Sequence, residues 1–275
     1  MAWYATREDV MRALDVKLTA RNSAQIDRAL ESASRDVESL CHRTFAPTLA
    51  TKSFDWPNGQ RARPWRLWLD ANDLISVTTL TSGGTTIAAS DFFLEPNQYG
   101  PPYSRLEIDL DSSAAFSSGD THQRAIVVTG LWGYTNAETT VGTLTAAVST
   151  TTATSVSVNA AASAELGVGS VLAAHAAGVD IYAARALTVT RGALGTTAAT
   201  HSNGATVVRW DPPGPVRQLT IAEAINTLIM EQAGYSKVLR SGESGGERNR
   251  DQKGIERLRE QVYNSHGRKG RVRAV

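Results

Sequence analysis

The sequence predicts an α+β protein: N-terminal helices and a buried later helix packed on a small antiparallel sheet, with an inserted all-β domain and an extended, partly helical C-terminal arm. Three observations carry this reading. Between Ser23 and Phe45, the residues Ile26, Leu30, Ala33, Val37 and Leu40 recur at spacings of four and three, the signature of one helix face. Residues 48–134 break into short β-prone runs divided by turn residues. From Val216 to Ala233 the chain is apolar at helical spacing on more than one face, so this helix must be covered by the sheet or by the first helices.

Thr6 opens a first helix as its N-cap, and Asp9 three residues later completes a capping box with a short acid. Val10, Met11 and Leu14 give that helix an apolar side, and residues 15–22 connect it to the long helix. Asn22 or Ser23 is the expected cap of the long helix. Its end is expected before Pro47, because the residue preceding a proline leaves the α region. The connection has no tight glycine turn and the long helix mixes acids with bases, which argues against a groove-reading helix pair.

Strands are expected at 49–56, 66–69, 74–81, 92–94, 105–110 and 125–132, with Gly83-Gly84 as a hairpin tip. Trp56, Trp65, Trp68 and Trp132 fall in this region and are expected to fill a sheet core, lending their N–H groups to neighbours. Arg61, Arg63 and Arg66 form a short basic patch, a candidate contact with phosphate in a DNA channel or with a neighbouring subunit. Asp109 and Asp111 flank Leu110 and read as the polar face of a strand.

The order of a short helix, a helix ending in Cys41-His42-Arg43-Thr44-Phe45, and a sheet closed by Gly130-Leu131-Trp132-Gly133-Tyr134 resembles the head–tail connector (adaptor, head-completion) proteins of long-tailed double-stranded-DNA bacteriophages. The resemblance covers about residues 4–134 and resumes at about 211–235. It implies a structural virion protein at the head–tail interface, assembled in the host cytoplasm. Such a protein forms a homo-oligomeric ring beneath the portal, of about twelve copies matched to it, with heterologous contacts between like subunits. The ring extends the channel for genomic DNA, touched without sequence-specific recognition, and offers a docking platform to the next neck or tail-completion protein.

Residues 143–209 change character. Ala and Thr take 18 and 12 of the 67 positions, and only five residues are charged. β-prone runs at 154–158, 170–172, 179–182 and 187–190 predict a small β domain. The run Val189-Thr190-Arg191-Gly192-Ala193-Leu194-Gly195-Thr196, followed by His201-Ser202-Asn203-Gly204, resembles a β module recurrent in phage structural proteins. Gly192, Gly195 and Gly204 are expected at turns, with Arg191 and His201 tying the loop together. The predicted organisation is a connector core of residues 1–142 and 211–235, an inserted β domain at 143–210, and a basic arm at 236–275. Insertion at a surface loop is tolerated because closure entropy grows slowly with length.

The arm from Lys237 onward holds 11 basic and 5 acidic residues. A helix over 247–263, with Ile255, Leu258 and Val262 at spacings of three and four, has a narrow apolar face and is expected to order on a partner. The resemblance implies that the partner is the portal. The expected interface residues are Lys237, Arg240, Arg248, Arg250, Lys253, Ile255, Arg257, Leu258, Arg259, Val262 and Tyr263. A ring of such arms converts weak anchors into firm attachment.

Cys41 is the single cysteine, so no internal disulfide and no cysteine-rich metal site is expected. Residues 1–4 lack a basic region and an apolar core, and no run approaches the length of a membrane span, so neither a secretory signal nor a membrane partner is expected. The five histidines are scattered, and no metalloprotease, phosphate-loop, nucleophile-elbow or dinucleotide pattern occurs. No catalytic activity and no cofactor are expected. The alternatives are a surface- or carbohydrate-binding accessory module of a phage particle, a neighbouring neck or tail-completion protein, and a DNA-binding protein using the basic tail.

Overall fold

A computed structural model describes residues 2–15, 20–57, 63–175, 185–232, 238–239, 248–249 and 252–268. The chain is α+β, with helices and small antiparallel sheets. Contacts group it into two units, one from residues 1–42, 137–191 and 199–275, the other from 43–136 and 192–198.

The first unit begins with α1 (Arg7–Leu14), whose capping box joins Thr6 and Asp9 in both directions. Helix α2 spans Ala20–Cys41. It starts ahead of the expected cap, so Asn22 and Ser23 lie inside it. Apolar spacing marks only the buried face, and Ala20 and Arg21, both good helix formers, extend the helix beyond it. His42, at φ 52°, ends the run. The later helix α4 (Gly214–Gln232) packs on α2 and α1, which decides between the two covers the sequence allowed. Ala29, Leu30 and Ala33 of α2 meet Ala224 and Leu228 of α4, and the small residues let the two helices approach closely. Arginines pin the three helices together: Arg217 on Asp9, Arg7 on Asp27 and Arg28 on Glu231.

Between these helices in sequence lie β8 (Glu138–Thr143), β9 (Ser155–Val158), α3 (Ala160–Glu165), β10 (Leu172–His175), β11 (Arg185–Thr188) and β12 (Thr206–Trp210). They form a three-stranded sheet, β10-β12-β8, and a two-stranded sheet, β11-β9. The expected strand at 179–182 lies outside the described residues. Val141, Leu144, Val148, Val158, Ala162 and Val207 make a core of their own, and buried Asn159 caps α3 through the Ala162 N–H at 2.9 Å.

The second unit holds β1 (Thr48–Phe54), β2 (Arg66–Trp68), β3 (Leu74–Ser82), β4 (Thr85–Ile87), β5 (Phe92–Glu95), β6 (Arg105–Ile108) and β7 (Ile126–Trp132). One sheet runs β1-β7-β3-β4 and the other β2-β6-β5, all antiparallel. The β3–β4 hairpin turns at Gly83-Gly84. Strand β7 is central, and its Gly130 crosses β3 where the register slips. A Cβ there would stand 2.1 Å from the Ser76 carbonyl oxygen, so only glycine fits. Leu69, Leu74, Leu80, Leu106, Ile126 and Val128 are among the side chains that close a shared core. Trp132 is buried there and donates its indole N–H to the Ala50 carbonyl at 2.9 Å. Trp56 and Trp65 pack against the same core, and Trp56 donates to the Phe116 carbonyl.

The short strands β13 (Val238–Leu239) and β14 (Arg248–Asn249) pair with each other, and α5 (Gln252–His266) follows.

Candidate functional site

Glu223 is the one acidic residue between Val216 and Met230, on a helix that is otherwise mostly apolar. The helix carries it inside, where it is 5% exposed. An unpaired carboxylate at such a place costs several kcal/mol, roughly, so it needs a partner. Arg259 of α5 supplies it. Its Nε and Nη2 donate to the two carboxylate oxygens at 2.5 and 3.0 Å, a planar two-point grip. The grip raises the Arg259 guanidinium above its usual value, against the effect of burial. Asp36 of α2 stands nearby. Burial and then the Glu223 charge push its carboxyl above the ordinary range, with Arg259 opposing them. Two carboxylates therefore face one guanidinium where α2, α4 and α5 meet.

Val262 is the fully buried apolar side chain of α5, and Ile255 and Leu258 are half-buried. At the end of the helix the Arg268 N–H donates to the Cys41 carbonyl at 2.9 Å, tying α5 to the last residue of α2. The expectation that this helix orders only on a partner is corrected: it packs on α2 and α4 of its own chain. One buried valine and a bidentate ion pair supply the anchorage that a narrow apolar stripe lacks. The helix also begins later than expected, because Arg248 and Asn249 are extended.

The expected portal residues separate accordingly. Arg259 and Val262 are engaged with the chain's own helices, while Lys253, Arg257 and Tyr263 are exposed. Lys237, Arg240 and Arg250 lie outside the described residues, and Arg248 is described in its backbone alone. Sequence reasoning missed Glu223 and Asp36. A lone acid inside an apolar helix, facing a basic amphipathic helix later in the chain, was the available signal.

In the basic patch, Arg61 lies outside the described residues. Arg63 is exposed and stands 5.6 Å from the Trp65 ring centre. Arg66 stacks on the same indole at 5.0 Å and pairs with Glu107 at 2.7 Å. Arg105 shares Glu107 at 2.5 Å and lies over Trp68. Burial works to raise the Glu107 carboxyl, but the hydrogen bonds from Arg105 and Arg66 outweigh it and hold it low. The patch is thus partly neutralised by its own sheet.

In the β module, Gly192, Gly195 and Gly204 have φ of 65°, 81° and 80°. Gly195 packs on β1 so closely that a Cβ would stand 2.0 Å from the Leu49 carbonyl oxygen. The Arg191 guanidinium donates to the Ala199 carbonyl, and the His201 backbone pairs with Val148 in both directions.

A polar cleft of about 270 Å³ opens among Trp3, Glu8, Asp9, Arg209, Asp211 and Arg217. Its charges are largely turned on one another: Arg217 grips Asp9, and Arg209 grips Asp211. Burial tends to raise the Asp9 carboxyl, but the bonds from Arg217 and Thr6 prevail and lower it. Among the described residues no group of three or more His, Cys, Asp or Glu side chains is placed to hold a metal ion. No described helix is long and apolar enough to cross a membrane.

Compared with known proteins, the chain matches no protein-family model and no curated relative.

Proposed function

We propose that this chain is a structural connector of a phage particle, forming a ring beneath the portal that carries the DNA channel onward and presents a platform to the next neck or tail protein. The observation that supports the reading is the order and packing of the first unit's helices. α1 and α2 come first, and α4 returns to pack on them only after the long β excursion. That is the arrangement expected of the resembled connectors when a module is inserted ahead of their last core helix. Self, the portal, the following neck protein and passing DNA are the proposed partners.

In this reading the outward face of α5, with Lys253, Arg257 and Tyr263, contacts the portal, together with the basic residues that precede it. Arg63 is the remaining exposed candidate of the patch for phosphate or subunit contact. The test is co-sedimentation of the full chain with portal rings encoded in the same genome. Wild type is expected to pellet with the rings, and the K253E/R257E double variant to pellet far less. Equal pelleting of the two removes the arm from the interface, and a wild-type chain that stays in the supernatant overturns the connector reading.

A further inference from the structure

The contact between α5 and the α2–α4 groove has a second use. We propose that this groove is an interaction surface for the α5 helix of a second copy of the chain, so that neighbouring subunits exchange their C-terminal helices. The groove is acidic, carrying Asp36 and buried Glu223. The helix it holds turns one guanidinium, Arg259, into that groove, while Lys253 and Arg257 stay on its exposed face. The fit is already demonstrated within one chain by the two-point Arg259–Glu223 grip and by buried Val262. The same contacts are available from another copy, because exchange of an identical element forms no new interface chemistry.

The connection permits it. Nineteen residues, 233–251, separate α4 from α5, and they span about 60 Å when extended. The pairing described within them is the two-residue match of β13 with β14. Exchange replaces closure of this 19-residue connection with association of two chains, whose entropy cost falls as the local subunit concentration rises. A high local concentration of subunits, as in any closed assembly, favours the exchanged form. The inference concerns the chain alone and does not depend on a portal, so it fails or stands separately from the connector reading.

The test uses charge exchange. E223R places a guanidinium in the groove against Arg259, and R259E places an acid on the helix against Glu223 and Asp36. Each variant alone is expected to remain monomeric with α5 undocked. The E223R/R259E double variant restores docking within one chain and controls for folding. Mixing the two single variants makes both crossed pairings complementary, so the mixture is expected to sediment at twice the monomer mass. A mixture that sediments as monomers overturns the proposal. A second measurement avoids charge changes. R268C is placed beside Cys41, and two differently tagged populations of this variant are mixed at high concentration and oxidised. Disulfide-linked species carrying both tags support exchange, and exclusively intrachain bonds at every concentration refute it.

Discussion

Glu107 and Glu223 are both gripped by arginine, and the two regions use that grip differently. Glu107 lies on the outer face of β6, shared by Arg66 and Arg105. The other face of the same strand buries Leu106 and Ile108 in the core of the second unit. There the apolar burial holds the fold and the ion pairs decorate it. Glu223 lies between helices, and the helix that brings its arginine buries one of its described side chains completely, Val262. There the ion pair is a large part of the attachment. The same chemistry is ornament where apolar area is plentiful and a clasp where it is scarce.

The strongest way to break this comparison is through the second unit's core. Ile126→Ala empties a fully buried site on the central strand and is expected to cost about 3 kcal/mol. Urea denaturation should show a correspondingly lower midpoint for that unit. A cost near zero would mean that burial does not dominate there. Next comes the clasp. Val262→Ala and Arg259→Ala are each expected to weaken α5 docking by about 1–2 kcal/mol, the arginine value being reduced because its side chain is 47% exposed. Hydrogen exchange should quicken in α5 while β7 stays protected. Loss of protection in both would show that α5 is part of the global fold.

Glu107→Gln is expected to cost only about 0.5 kcal/mol, because a neutral amide oxygen still accepts from the arginines and the apolar face of β6 is untouched. The smallest effect is electrostatic. Asp36 has a raised folded value, so its contribution favours docking below its unfolded value and is lost as pH rises through the folded value. Asp9 and Glu107 have lowered values, so their contributions are present above the unfolded value and are lost as pH falls through the folded one. Mild acid should therefore raise the protection of α5 relative to its intrinsic exchange rate while it weakens the sheet unit and the α1–α4 contact. Asp36→Asn should remove the α5 part of that response and slow its exchange at neutral pH.

Much of the fold was legible because it rests on local patterns. Periodicity located α2 and α4, the Thr6–Asp9 spacing located the start of α1, and alternation with glycine turns located the strands of the second unit to within a few residues. Strands β8 and β12 and helix α3 were missed. β8 and α3 are Thr- and Ala-rich with little apolar alternation, β12 buries adjacent Val207 and Val208 instead of alternate residues, and the β8–β12 register slips beside Gly142, against which Asn159 packs. The docking of α5 was missed for a different reason. Counting apolar residues scores Glu223 and Arg259 as solvent-facing, and only their meeting across 36 residues of sequence makes burial affordable. The basic candidates for the portal interface were chosen by charge, which cannot separate outward Lys253 and Arg257 from inward Arg259.

The measurement that tests the connector account most directly is negative-stain electron microscopy of portal rings mixed with the full chain and, separately, with a chain ending at Tyr235. The account predicts an added layer capping the portal with the full chain and its loss with the shortened one. Portal rings that look the same with and without the full chain would contradict it.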